Sequence, residues 1–213
     1  MFNFIDKILI EIGQAITSIN TNSNINLKEE INENQNKKIR KFNKKQLKHI
    51  SGLMRVNHCG EICAQALYRG QAFFLKNKKL KKYLYRTAIE ENDHLILFHK
   101  RLKDLQSYPT LLNPFFYIFS FNIGVLTSFF GKKIILGFIQ ETEKQVVQHL
   151  DNHIKQILYI QDYISYKILK KIKDDEIYHA KKASYIEEYK LPSIICSLMK
   201  YLSKIMTIVT YYI

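Results

Sequence analysis

Cysteine is nearly absent from this chain: Cys59, Cys63 and Cys196 are the only three, an odd number with no C-x-x-C spacing. That excludes a disulfide framework and fits reduced thiols in a cytosolic compartment. Cys59 and Cys63 stand one helical turn apart, but two thiols without nearby partners make a poor zinc site, so they read as packing residues. Glycine is also scarce, and the seven present (Gly13, Gly52, Gly60, Gly70, Gly124, Gly131, Gly137) form no dinucleotide or phosphate-binding loop. Any nicotinamide or flavin would have to bind by other means. Acidic residues are the minority, 19 Asp+Glu against 33 Lys+Arg, for a net charge of +14. Such a charge favours an anionic partner, nucleic acid or an anionic membrane surface, without choosing between them. No convincing period-2 pattern appears, so strands are not expected. The opening "MFNFIDKILIEIGQAI" lacks a basic leader and a small-residue cleavage site, and it carries Asp6 and Glu11 inside its apolar pattern. It is expected to be an amphipathic helix rather than a signal peptide.

With 213 residues the chain suits one well-filled core plus appendages. The expected organisation is an amphipathic helix at 1–17, a polar linker at 18–45, a helical bundle at 46–190 and an apolar helix at 191–213. The linker is rich in Asn, Lys and Glu, which cannot repay the entropy of ordering. Breaks between helices are expected at the lysine-rich "KNKKLKK" (76–82), around Tyr108-Pro109 and near Leu191-Pro192. From Leu105 through Gly131, 27 residues pass without a formal charge. That length can span a bilayer, but Asn113, Pro114, Ser120, Asn122 and Gly124 interrupt it, so a segment lying in the membrane interface is the preferred reading over a span or a buried crossover.

Stepping by four and three keeps one face of a helix in view. On the segment from Leu84 the walk meets Leu84, Ala88, Glu91, Leu95, Phe98, Leu102 and Leu105, apolar except for Glu91, with His94 three residues on and facing the same region. The last long segment gives Leu169, Ile172, Glu176, His179, Ala183 and Ile186, a second Glu-x-x-His in a second apolar stripe. A third stripe, Leu136, Ile139, Glu143, Val146, Leu150, His153, Ile157, Ile160, holds one Glu. The first, Leu47, Ile50, Met54, Asn57, Glu61, Ala64, Tyr68, also holds one.

A carboxylate in an apolar interior is expensive unless it is paired or bound to a metal. Here four of them and two imidazoles interrupt four stripes in the order Glu61, Glu91-x-x-His94, Glu143, Glu176-x-x-His179. The near-repeat suggests two helical hairpins joined by the uncharged crossover. The pattern matches the dinuclear carboxylate site of ferritin-like bundles, in which two helices each give a Glu and two each give Glu-x-x-His. The expected fold is therefore all-α, a ferritin-like four-helix bundle with a long apolar crossover and flanking amphipathic helices. The donor set suits two Fe(II) or Mn(II) ions with positions left for oxygen. Glu90, Asp93, Glu141, Asp174 and Asp175 are read as acids on solvated faces.

The blocks "LMRVNHCGEICAQALYRGQ" (53–71), "EENDHL" (90–95), "LLNPFFYIFSFNIG" (111–124), "TEKQVVQHLDNHI" (142–154) and "DDEIYHAKKA" (174–183) resemble the flavin-independent demethoxyubiquinone hydroxylases in their bacterial form. The resemblance runs from about Leu47 to the C-terminus, with Cys59 standing where the family usually has a small residue such as alanine. It implies that Glu61 and His94 bind one iron, Glu143 and His179 the other, and that Glu91 and Glu176 bridge both. Asp175 and His149 match polar positions that orient ligands or relay protons. It further implies hydroxylation of a polyprenylated methoxy-methyl-benzoquinol in ubiquinone biosynthesis, one atom of O2 entering the ring and the other leaving as water, with a ubiquinone-biosynthesis complex as a candidate partner.

A polyprenyl quinol resides in the bilayer, so its enzyme needs an apolar approach, which Tyr108 to Phe130 and the N-terminal helix can supply, with Lys132 and Lys133 at the rim toward anionic lipid. A peripheral protein on the cytoplasmic side of the cell membrane is expected. The competing reading, a soluble ferritin-like iron-storage or peroxide-handling protein, uses similar ligands but gives no reason for the uncharged crossover. A ribonucleotide reductase subunit needs a longer chain. A nucleic-acid binder would leave four buried glutamates uncompensated, so no nucleic-acid partner is expected.

Overall fold

The computed structural model describes residues 3–19 and 42–213, so most of the stretch expected to be a polar linker lies outside the described residues. Its two ends are helical: α1 (Phe4–Ile19) takes in Ser18 and Ile19, and α2 (Lys44–Phe73) takes in Lys44 and Lys45. α2 starts where it does because Asn43 and Gln46 cap each other, each side chain accepting from the other's backbone N–H at 2.9 and 3.0 Å. α3 (Lys78–Asp104) follows a short turn and is capped by Asn77, whose side chain accepts from Leu80 N at 3.0 Å. The lysine run 76–82 is thus mostly the first turns of α3 rather than a break. Lysine is a good helix former, and Asn77 offers the better cap.

α4 (Asn113–Ser128), with Pro114 in its first turn, occupies the uncharged crossover. α5 (Lys132–Ile160) and α6 (Tyr163–Ile186) are separated by a turn that no glycine or proline announces. Gln161 takes the left-handed conformation at φ 63°, and Asp162 then caps α6 by accepting from Ser165 N at 3.2 Å. Arg101 holds that cap from α3, its Nη2 2.8 Å from Asp162 Oδ2 and its Nε 2.8 Å from Ser165 Oγ, all three side chains being buried. α7 (Ser193–Tyr212) closes the chain.

Among the described residues there are seven helices and no strand. α2, α3, α5 and α6 close a four-helix ring, α2 on α3, α5 on α6, α2 on α5 and α3 on α6, while α4 packs along α2 and α7 along α2 and α5. Two of the three apolar clusters of the core form layers, the third being Ile62, Ala66, Leu95 and Tyr117. One contains Ile50 and Met54 of α2, Phe98 and Leu102 of α3, Leu150 and Ile157 of α5, and Leu169 and Ile172 of α6. The other contains Tyr68, Leu84, Ile135, Leu136, Ile139 and Ala183. Burying each large side chain contributes roughly 1.5–3 kcal/mol. On each of the four helices an acid stands in the stripe between the two layers, so the layers flank a polar belt.

α4 approaches α2 at backbone distance. A Cβ on Gly124 would lie 2.2 Å from Leu67 O, and one on Gly70 would lie 2.1 Å from Phe121 O. α1 is attached the other way round from a helix buried in a core. Glu11 is buried, its Oε2 2.7 Å from Arg69 Nε and its Oε1 accepting from Tyr85 Oη at 3.1 Å, and Ser18 bonds Gln65. Its apolar residues Phe4, Ile5, Leu9, Ile12 and Ile16 face outward. Phe4 stacks on Phe74, which stacks on Phe129, so this apolar face continues into α4, where Phe115, Ile118 and Leu126 are exposed. α7 exposes Ile194, Leu198, Tyr201 and Ile208, and it is the one helix among the described residues long and apolar enough to cross a membrane by length and composition.

Candidate metal centre

Glu61, Glu91, His94, Glu143, Glu176 and His179 are all buried and come together in the belt. They form two overlapping groups, each with ligand-type atoms within 4.8 Å of one another: Glu61, Glu91, His94 and Glu176, and Glu91, Glu143, Glu176 and His179. Glu91 and Glu176 belong to both. His94 Nδ1 lies 3.0 Å from Glu176 Oε1, 3.1 Å from Glu91 Oε2 and 3.6 Å from Glu61 Oε2. His179 Nδ1 lies 3.3 Å from Glu91 Oε1 and 3.3 Å from Glu176 Oε2. Glu91 Oε1, Glu176 Oε2 and His179 Nδ1 nonetheless make no hydrogen bond among the described residues. Four carboxylates and two imidazoles in an apolar sandwich, with orphaned oxygens turned to a common centre, are a donor set that can hold metal ions.

Electrostatics show the strain of this arrangement. Burial pushes Glu61 up to about 8 against the pull of His94, and burial with the neighbouring Glu176 raises Glu143 well above the carboxylate range. Burial alone would lower His179, but the facing carboxylates of Glu176 and Glu91 push it up to about 10, and Glu176, Glu61 and Glu91 raise His94 in the same way. Burial would raise Glu176, but the adjacent His179, His94 and Glu143 hold it well below the usual range. The belt therefore gathers protons when it has no other cation, and a metal entering it must displace them.

The two imidazoles present their other nitrogens outward to acids that directly precede Glu91 and Glu176, the two glutamates common to both groups. His94 Nε2 lies 3.3 Å from Asp175 Oδ2 on α6, and His179 Nε2 lies 3.5 Å from Glu90 Oε2 on α3. Each Glu-x-x-His helix thus orients the histidine of the other. Asp175, named from the resemblance, thus stands beside His94, and Glu90, expected on a solvated face, stands beside His179 with its side chain 29% exposed. The echo of Glu90-Glu91 in Asp175-Glu176 was the signal for it. Tyr68, on the first stripe, donates to Glu143 from the layer above.

His149 is not brought to the belt. It lines a partly open cavity of about 180 Å³ between α2, α4, α5 and α7 and bonds Ser203 Oγ through Nε2 at 3.2 Å. Glu61 lies in the same lining, so the cavity reaches the belt at one end. Phe119 lines the cavity too, is exposed, and stacks on Phe115 of the apolar face of α4.

The profile of the family described as Ubiquinone biosynthesis protein COQ7 matches residues 48–210. The chain belongs to this family. A 3-demethoxyubiquinol 3-hydroxylase of Francisella tularensis subsp. tularensis is 40% identical over 209 residues, covering 98% of this chain and 97% of the relative. Proteins of the same name from Bordetella pertussis, 45% identical over 81% of this chain and 77% of the relative, and from Francisella tularensis subsp. holarctica, 46% identical over 77% of each, are similar to it. The match runs from within α2 to within α7.

Proposed function

We propose that this chain hydroxylates the ring of a polyprenylated methoxy-methyl-benzoquinol with O2 in ubiquinone biosynthesis, using two iron ions held in the belt. The observation that carries the reading is the apolar cavity that joins the Glu/His belt to an exposed apolar face. The family relatives named as 3-demethoxyubiquinol 3-hydroxylases fit it, and none of their names points to iron storage.

Glu61 and His94 would hold one ion, Glu143 and His179 the other, with Glu91 and Glu176 shared, in keeping with their membership of both groups. When bound, the ions supply the activation of O2. The chain's own residues do the rest. Asp175 and Glu90 fix the imidazoles with Nδ1 inward, and Tyr68 holds Glu143. Val56, Leu67, Phe116, Ile123 and Met206 exclude water around a ring beside Glu61.

The outward apolar faces of α1, α4 and α7 support a peripheral seat on the membrane, where a prenyl quinol is found. Lys132 and Lys133 lie within 3.2 and 3.9 Å of Glu187, so together with that one acid they keep a single net positive charge at this rim. Anaerobically loaded protein should contain two irons per chain and convert demethoxyubiquinol in the presence of reductant and O2. Cells lacking it should accumulate the demethoxy-quinone, and absence of that accumulation would overturn the reading. For the membrane seat, sedimentation with anionic liposomes at low salt is expected, and recovery in the supernatant would contradict it.

A further inference from the structure

The cavity is apolar apart from a few groups, and most of those have partners. His149 and Ser203 bond each other, Thr207 donates to Ser203 O, and Gln145 donates to Glu141 at 2.8 Å. Asn57 differs. Its side chain is buried, 8% exposed, and Nδ2 has no hydrogen-bond partner among the described residues. A buried amide donor without an acceptor forfeits its bond to water and gains none in return, so its place in a cavity wall calls for a function.

The orientation of the amide is set from behind. Oδ1 of Asn57 accepts from His153 Nδ1 at 3.0 Å, and His153 is itself 5% exposed. A carboxamide oxygen only accepts, so this contact assigns the proton to His153 Nδ1, and Nδ2 is the atom left without a partner in a residue of the cavity wall. Burial keeps His153 neutral, pushing it down to about 4. Asn57 also lies one helical turn before Glu61 on the same face, about 6 Å along the axis. That is the width of a substituted benzene ring.

We infer that Asn57 binds the substrate ring, its Nδ2–H donating to a ring oxygen of the quinol and thereby presenting the ring edge to the Glu61 side of the belt. This rests on the quinol reading above and deepens it: recognition of the ring by its oxygen, rather than of the prenyl tail by grease alone. A site that hydrogen-bonds a substrate oxygen discriminates strongly against an analogue lacking it.

The test measures equilibrium binding to metal-free and iron-loaded full-length protein. Two probes are used, a demethoxyquinone with a single prenyl unit and a hydrocarbon of the same shape without ring oxygens. N57L replaces the amide by an apolar group of similar size. It should bind the quinone about tenfold more weakly in both forms, bind the hydrocarbon no worse, and keep its iron content. Since N57L strands His153 Nδ1, the double variant N57L/H153L, which leaves no orphan, should show the same tenfold loss, while H153L alone should stay within a few-fold of wild type. Quinone affinity unchanged in N57L or in the double variant overturns the assignment of Asn57. A wild-type chain that binds neither probe overturns the quinol reading instead.

Discussion

Glu91 on α3 and His179 on α6 face each other across the bundle with Oε1 and Nδ1 3.3 Å apart, and neither atom makes a hydrogen bond. Two groups this close without a bond are arranged for a third body between them. On the proposed two-iron reading, Glu91→Ala or Glu176→Ala should therefore strip the chain of bound iron by elemental analysis and abolish hydroxylation. Circular dichroism should retain most helical signal, because the two apolar layers hold the helices. Full activity in either variant would contradict the shared-ligand assignment.

The crossed acids predict a smaller effect. Glu90→Gln and Asp175→Asn keep shape but lose the charge that holds Nε2 of His179 and His94. Metal titration should show affinity lower by about 10–100-fold for each. Asp175, 45% exposed at its side chain against 29% for Glu90, should lie toward the lower figure.

Arg101 is the only cation that meets Asp162 among the described contacts, and both are buried. Arg101→Ala leaves an uncompensated acid at the start of α6, and chemical denaturation should show a loss of about 3–5 kcal/mol. A loss below 1 kcal/mol would mean that water reaches the cap.

Gly124→Ala places a methyl 2.2 Å from a backbone oxygen that cannot swing aside. α4 must lift from α2, costing about 1–3 kcal/mol. Because α4 also walls the cavity, KM for the quinol should rise while iron content stays at the wild-type value.

Acid should weaken the fold through two histidines outside the belt. Burial lowers His58 from 6.5 to about 3 and His153 to about 4, so both are neutral in the folded chain when the unfolded chain binds protons. The unfolded state then gains protons as pH falls below 6.5, and stability declines until the folded values are reached. At pH 5 the loss is roughly 2 kcal/mol for each, read as a fall in the denaturation midpoint between pH 7 and 5. His58→Gln should flatten that dependence.

The belt was legible because a charged residue in an apolar stripe is conspicuous by itself: Glu61, Glu91, Glu143 and Glu176 stand out without knowledge of any partner. Glu90 was not, since it lies off the stripe and its role depends on a histidine of α6 that only the packed bundle brings near. The turn at Gln161 was hidden for a different reason, a left-handed residue that is neither glycine nor asparagine. Periodicity gave α1 an amphipathic face but not its direction. That is fixed by Arg69, a buried cation in α2 that takes Glu11 as its counter-ion and so turns the oily side of the helix away.

The way α1 is clasped has a practical sequel. What fastens the strap is an ion pair, and what it shows the outside world is oil, so the two can be disturbed independently. On the proposed membrane seat, a mild detergent should exchange for lipid on the outer side and leave the strap seated, whereas Arg69→Met should let it swing free with or without lipid. The first segment of the chain would then become an early target for proteolytic nicking, with the bundle beneath it intact.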